Sequence, residues 1–512
     1  MTKQYLIGVD LGTSATKAAI YRADGSLVAV ASREVPIYTP RPGIVEQEND
    51  DFYRTAAETV KTCLQQSGID PREVAAIAFD SQMAGIGTVD EDFKPATRFD
   101  SWLDMRCQPY IEEMNRIGGE RVTQLTGCAP TCDHGPKILW WMHEHPQDFK
   151  RIAKFVTPSG YVAGKIAGLK ADQAFMDYTF IHFSGFADSR ACRWSDELCR
   201  MFGMDAEKLP HIVSPWDVIG EVKEAAAADF GLAAGTPVVA GCGDTAANAL
   251  GAGMVRPGML FDNAGTAAIL AACTDQFVAD LDNRALLNMH SVIPGLYNPL
   301  AYIAGGGLAL RWFRDQFYNT HQGQSLPADE DIYAQMCTAA QAIPAGADGL
   351  FFSPHLGGRI CPSDGQMRGA WLGFSWGHTQ AHFFRAILEG VAFEYAYYLD
   401  ILKRLIPGLA LIETRATGGG AKSDVWNQIK ADVLNVPYQH LPHSEFGTWG
   451  CAMLAGKATG VFGDLVETAL AFSRPVGAPV APRPDAVQVY QPLVGRYIEM
   501  EASLHDLFHR LA

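Results

Sequence analysis

Nothing in the chain reads as a membrane span, because it lacks a run of eighteen uncharged apolar residues. No secretory leader is expected either, since the opening MTKQYLIGVD reaches an acidic residue before any long apolar core. Positive charge is short: the formal net charge is −16, which argues against a nucleic-acid surface or an anionic membrane as partner. Any anionic ligand must then be held by backbone dipoles, a metal or single cationic side chains. Metal-ligand cysteine spacing is absent as well. Of the eleven cysteines, Cys128 and Cys132 lie four apart without a second such pair, so reduced thiols in a cytoplasmic enzyme are expected.

What the chain has in quantity is apolar sequence. Its 512 residues are 48% hydrophobic and 19% charged, too long for one core and rich enough to bury several. The stretch around which it is organised comes early. Tyr5 to Val9 and Ala18 to Tyr21 are apolar runs flanking Asp10-Leu11-Gly12-Thr13-Ser14-Ala15-Thr16-Lys17, the pattern of a β-hairpin with a Gly-Thr-Ser turn. Small hydroxyls and open backbone N–H groups let an anion approach such a turn, and Asp10 beside a phosphate calls for a cation such as Mg²⁺. A plain polar turn is the alternative. Lys17 reaches either the phosphates or solvent.

Further along, Leu27 to Ile37 alternates as a strand, and Asn49-Asp50 caps a helix that stops at Gly68. Val74 to Phe79 is a buried strand ending in the polar loop Asp80 to Gly85. Strands alternating with helices predict an open α/β sheet whose ligands collect at the carboxyl ends of its strands. Trp102-Leu103-Asp104-Met105-Arg106 reads equally as a polyol-binding segment and as a helix start with a surface Asp–Arg pair. Lys137 to Met142 and Phe149 to Phe155 read as helical, and Asp172 to Phe186 as a loop. At Gly241-Cys242-Gly243-Asp244 a strand turns into a helix, and on local grounds Asp244 is its N-cap.

The opening pattern then returns. Met259 to Leu270 is again an apolar run, an Asp, a Gly-Thr turn and an apolar run, which implies duplicated domains. Gly305-Gly306-Gly307 opens a helix and serves either an anion or close packing. Glu389 falls inside an apolar-periodic helix, and Thr417-Gly418-Gly419-Gly420-Ala421-Lys422-Ser423 joins a strand to a helix, where glycines let a planar ring lie on the backbone. The C-terminal helix is read as packing only.

Six segments in order, DLGTSATK at 10–17, DSQMAG at 80–85, WLDMR at 102–106, GCGDTAANALG at 241–251, DNAGTA at 262–267 and GGGAKSDVW at 418–426, resemble the FGGY family of carbohydrate kinases. The resemblance implies an α/β fold of two ribonuclease-H-like, actin-like ATPase domains with a duplicated core and an interdomain cleft. Residues 1–247 would carry the sugar site and first phosphate hairpin, and 248–512 the second hairpin and adenosine pocket. It further implies ATP and Mg²⁺, with Asp244 as catalytic base in place of a cap and Asp10 organising the metal. Gly12, Thr13, Ser14, Gly265 and Thr266 would lie near the phosphates, and Gly419, Gly420 and Ala421 near adenosine. Gln82, Met83, Trp102, Asp104, Arg106 and Asp244 would meet the sugar. Within the family the likeness is greatest to the xylulose kinases, which implies D-xylulose as substrate, with ribulose, erythritol or gluconate as alternatives. Ala84 departs from that group's pattern, which has His there, and Gly357-Gly358-Arg359-Ile360-Cys361-Pro362 departs from its Gly-Glu-Arg-Thr-Pro. The implied partners are a small sugar and ATP, with neither nucleic acid nor membrane, and a homodimer is an open alternative to the monomer. A non-catalytic actin-like ATPase or sugar sensor is the competing reading from another class.

Overall fold

A computed structural model describes residues 4–318, 332–442 and 444–511, and the chain divides into two units. The first comprises residues 1–255, 287–298 and 445–473, the second residues 256–286, 299–444 and 474–512. The single cut expected after residue 247 therefore falls within a helix, and the first unit regains two later segments.

The first unit is built on a six-stranded sheet in the spatial order Val218–Glu221, Pro237–Gly243, Val74–Ser81, Tyr5–Leu11, Ala15–Arg22 and Leu27–Glu34. Strands β1 (Tyr5–Leu11) and β2 (Ala15–Arg22) form the expected antiparallel hairpin, with residues 12–14 as its turn. Strand β3 (Leu27–Glu34) ends a turn earlier than the alternation suggested. Helix α1 (Asn49–Ser67) ends at Gly68 in the left-handed conformation, but its cap is Glu48, and Asn49 turns inward to donate to the Thr97 carbonyl at 3.0 Å. Its buried Phe52, Ala56 and Val60 belong to the same apolar core as Ile7, Val9 and Phe79 of the sheet; each large side chain so buried contributes roughly 1.5–3 kcal/mol.

Strand β4 (Val74–Ser81) is buried throughout and runs on through Asp80 and Ser81, so the following loop is two residues shorter than expected. Helix α2 (His134–Glu144) covers the expected helical segment. The next one is corrected. Helix ends at Arg151, and Lys154–Val156 forms a short strand whose Phe155 is buried, because aromatic spacing there serves an extended chain. Helix α3 (Pro158–Ala167) is capped by Thr157, which accepts from Gly160 N–H at 3.1 Å. The Asp172–Phe186 stretch holds a short strand, Phe175–Asp177, as well as turns. Strands β5 (Val218–Glu221) and β6 (Pro237–Gly243) complete the sheet, and α4 (Asp244–Gly251) follows directly.

In the second unit a related hairpin appears, β7 (Met259–Ala264) with β8 (Ala268–Ala272), in antiparallel register. Strands β9 (Tyr297–Ile303), β8, β7, β10 (Glu413–Thr417) and β11 (Tyr438–Gln439) lie side by side in that order. Three helices position this unit's ligand-facing loops: α5 (Gly306–Phe313), α6 (Gln380–Leu405) and α7 (Asp424–Leu434). Glu389 of α6 is buried, as expected, against Arg385 at 2.7 Å and Tyr490 at 2.7 Å.

Helix α8 (Phe446–Thr459) returns to the first unit, where its small residues permit close contact with β1. A Cβ added to Gly8 would lie 1.9 Å from the Thr448 carbonyl oxygen. The last helix, α9 (Pro484–Leu511), packs Tyr490 and Tyr497 onto α6.

Candidate active site

Three carboxyls gather at the carboxyl ends of neighbouring parallel strands. Parallel pairing of β1 with β4 sets Asp10 opposite Asp80, and pairing of β4 with β6 sets Cys242 opposite Asp80 and Gly243 opposite Ser81. Asp244 leaves the end of β6 as the first residue of α4. The register slips between Val239 and Cys242, where Gly241 has φ +76° and a Cβ would meet the Phe79 carbonyl oxygen at 1.6 Å. Only glycine fits there, and the irregularity sets the direction in which the chain delivers Asp244. Thr179 then fixes the strand end, its hydroxyl accepting from Gly243 N–H at 2.9 Å while donating to Asp177.

Local capping is not the role of Asp244. The N-cap is Gly243, and the Asp244 carboxylate accepts instead from the N–H and hydroxyl of Thr245, at 2.5 and 3.2 Å. Burial, and next the Asp10 charge, push its carboxyl up to about 7. Burial also raises Asp10, against a hydrogen bond with Asp80 and the positive charge of Lys17. Asp80 lies well above the usual carboxylate range through burial and the Asp10 charge, and accepts from Cys451 Sγ at 3.2 Å. One oxygen of Asp80, Oδ1, is buried without a hydrogen-bond partner. The Lys17 side chain is partly exposed, and its Nζ pairs with Glu445 at 2.8 Å.

The first hairpin turn is tied to the 82–85 loop. Thr13 Oγ1 donates to Gln82 Oε1 at 3.3 Å and accepts from Trp102 Nε1 at 2.9 Å. Gln82 Nε2 donates to Gln47 Oε1 at 2.8 Å, and Gln47 Nε2 returns to the Thr13 carbonyl at 2.9 Å. Gln47 carried no signal in the sequence, since a lone glutamine before a helix has no motif. Gly12 N–H donates to the Ala15 carbonyl at 3.1 Å, and the Ser14 carbonyl accepts from Val35 N–H, which leaves the Ser14 side chain outward. Met83 packs over Gly243, next to Asp244. Trp102 is 36% exposed, with its indole N–H committed to Thr13 and the rest of the ring available to stack.

Asp104 and Arg106 belong to the framework of this loop. Asp104 is fully buried and accepts from Val45 N–H at 2.7 Å and from Arg106 Nε and Nη2 at 2.8 and 2.7 Å. Arg106 adds Glu46 at 2.7 Å and lies over the Trp140 ring. The pair is therefore internal, unlike the surface pair considered from sequence. The Asp104 carbonyl accepts from Cys132 Sγ at 2.7 Å and Lys137 Nζ at 3.2 Å. Ala84 has φ +61°, a left-handed backbone that disfavours its Cβ. An imidazole still reaches this loop: His134, buried beside the Gly85 backbone, is held neutral by burial, with its pKa down at about 3.

In the second unit, a cavity of about 680 Å³ is lined by Gly265 and Thr266 of the hairpin turn and by Gly419 and Gly420 after β10. Ala421 does not line it; its carbonyl accepts from Asn427 Nδ2 at 2.8 Å and so anchors the glycine turn to α7. The Gly305–Gly307 segment proves to be packing and lining at once, for Gly307 N–H donates to the Gly265 carbonyl at 3.0 Å and Gly307 borders the cavity. Leu310, Cys337 and Trp426 also line it and had no sequence motif to mark them. Asp262, the echo of Asp10, has a different role. It is buried against Lys430 Nζ and accepts from Tyr395 OH at 2.8 Å, so its charge is neutralised within the fold.

Comparison with known proteins agrees along the whole chain. The N-terminal domain of the FGGY family of carbohydrate kinases matches residues 5–251, and the C-terminal domain of that family matches residues 263–459. A xylulose kinase of Bacillus subtilis is 28% identical over 98% of this chain and 98% of its own. A gluconokinase of Bacillus licheniformis is also 28% identical, over 99% of this chain and 98% of its own. The crystal structure of a ligand-bound xylulose kinase from Lactobacillus acidophilus superposes with a TM-score of 0.89 at 26% identity, covering 99% of this chain and 100% of that one. With its two α/β units and a repeated hairpin, the chain belongs to the FGGY family of carbohydrate kinases, ATP-dependent sugar kinases, and is closely related to the xylulose kinases.

Proposed function

We propose that this chain transfers the γ-phosphate of ATP to a hydroxyl of a ketopentose, most directly D-xylulose to give D-xylulose 5-phosphate. The observation that carries the reading is Asp244, a buried carboxyl brought up to about 7 at the carboxyl end of the sheet, beside Met83. A base poised near neutral pH takes the proton of the attacking hydroxyl while its oxygen bonds to phosphorus. The bond from phosphorus to the bridging oxygen breaks in the same displacement, and ADP leaves with the electron pair. Thr245 N–H holds the carboxylate in place and favours its ionised form.

The oxygen donors of Asp10 and Asp80, with Asp80 Oδ1 unpartnered, suit a hard divalent cation. Asp10 and Asp80 would hold Mg²⁺, which would offset the negative charge of the phosphates. The backbone of Gly12, Thr13 and Ser14 would face the transferable phosphate, and Gly265 and Thr266 the other phosphates. The cavity beside Gly419 and Gly420 would take adenosine, with Ala421 holding the turn. Gln82, Met83 and the Trp102 ring would contact the sugar, and Asp104 and Arg106 would position that loop. Cytoplasmic location suits a kinase of this kind.

A second acceptor is favoured by one observation. Ala84 offers a methyl where the xylulose kinases have an imidazole, so a differently shaped polyol or sugar acid, such as ribulose, erythritol or gluconate, would find room. Coupled ADP release over a panel of D-xylulose, D-ribulose, erythritol and gluconate tests both readings. The highest kcat/KM on D-xylulose supports the first, and preference for another acceptor supports the second. Stimulation by none of them would leave a non-catalytic sugar sensor as the better account.

A further inference from the structure

Helix α9 ends in two histidines four residues apart, His505 and His509, which therefore share one face of its last turns. That face meets Asp364, in a tight turn closed by reciprocal backbone hydrogen bonds with Arg359 at 2.8 and 2.9 Å. His509 Nε2 lies 2.9 Å from Asp364 Oδ2, and His505 Nε2 lies 3.6 Å from the same oxygen. Among the described residues no other group of three His, Cys, Asp or Glu side chains brings its ligand atoms within 4.8 Å of one another. We infer that Asp364, His505 and His509 form a binding site for one Zn²⁺ ion, separate from the phosphoryl-transfer site.

The spacing suits that ion. Tetrahedral Zn²⁺ with bonds of about 2.0–2.1 Å puts neighbouring ligand atoms about 3.3 Å apart, and the two measured separations bracket that value. Two imidazoles and one carboxylate also suit Zn²⁺ better than Mg²⁺, which prefers oxygen.

The surrounding hydrogen bonds orient the ligands. Gln366 N–H donates to Asp364 Oδ1 at 2.9 Å, which leaves Oδ2 to face both rings. Asp506 Oδ1 lies 3.2 Å from His505 Nδ1, and a proton held there leaves the Nε2 lone pair pointing at Asp364. A carboxylate on the far nitrogen of a ligating histidine is the arrangement that fixes tautomer and ring orientation in zinc sites. Both histidines are exposed, so a fourth position is open to water. The bound ion would clamp the end of α9 to the 359–364 turn, whose Arg359 in turn pairs with buried Glu394 of α6 at 2.6 Å. The competing account is a plain charge pair, in which protonated imidazoles face Asp364 and no metal is involved.

The test uses the full chain, stripped of metal and without nucleotide, titrated calorimetrically with Zn²⁺ and spectroscopically with Co²⁺. One equivalent of Zn²⁺, tetrahedral Co²⁺ absorption, and a melting temperature raised by Zn²⁺ are expected. The His505→Ala/His509→Ala and Asp364→Asn variants should keep the metal-free melting temperature and lose that equivalent, and Asp506→Ala should weaken it about tenfold. If the double-histidine variant binds Zn²⁺ as the parent does, or the parent binds none, the site is a charge pair and the inference fails.

Discussion

A buried carboxyl near 7 gives the proposed base a measurable signature. With the Asp244 pKa at about 7, roughly 10% of the carboxyl is ionised at pH 6 and roughly 90% at pH 8. Only the ionised form can accept the proton of the sugar hydroxyl, so activity is lost as pH falls. The expected kcat/KM therefore rises about tenfold between those values. An ordinary aspartate, with a pKa of about 3.9, would be almost wholly ionised at both and give a flat profile. Burial is the largest cause of the elevation, followed by the Asp10 charge, with Thr245 pulling the other way. The assay is coupled ADP release with both substrates well below saturation, where the profile reports the free enzyme, corrected for the ionisation of ATP. A profile flat from pH 6 to pH 8, with the enzyme folded throughout, would refute the assignment of the elevated carboxyl to the catalytic step.

Three further outcomes are expected. Lys430→Met strands the buried Asp262 charge and should cost about 3–5 kcal/mol, most of it recovered by adding Asp262→Asn; thermal unfolding of the single and double variants reads this, and a parent-like single variant would contradict it. Ala84→His, at a left-handed position that His tolerates better than most residues, should raise the ratio of kcat/KM on D-xylulose to that on the best native acceptor, and an unchanged ratio would remove position 84 from specificity. The Cys107 thiol and the Lys137 ammonium bring the Cys132 thiol down to about 6, so its alkylation by iodoacetamide should level off above about pH 7, whereas an ordinary thiol, with a pKa of about 8.5, keeps accelerating.

Local pattern carried the hairpins, because apolar alternation on both sides of Gly-Thr turns leaves few other conformations for 5–22 and 259–272. It misjudged residues 152–155, where aromatic spacing fits helix and strand alike and tertiary contacts decide. Capping rules placed Asp244 one position too early, since Gly243 can cap with its backbone alone. Return of α8 to the first unit depends on Gly8 meeting Thr448, a contact across most of the chain that no window of sequence displays. The same holds for Gln47 and for the pairing of Lys17 with Glu445. Duplication was legible, but the different duty of its second aspartate was not, because Lys430 lies far from Asp262 in sequence.

Phosphoryl transfer based on Asp244 is tested most directly by Asp244→Ala. Sugar-dependent ADP release should fall by at least about a hundredfold, the low end of the effect of a positioned base, while ATP binding and melting temperature stay near those of the parent. A variant that keeps most of its turnover would contradict the account.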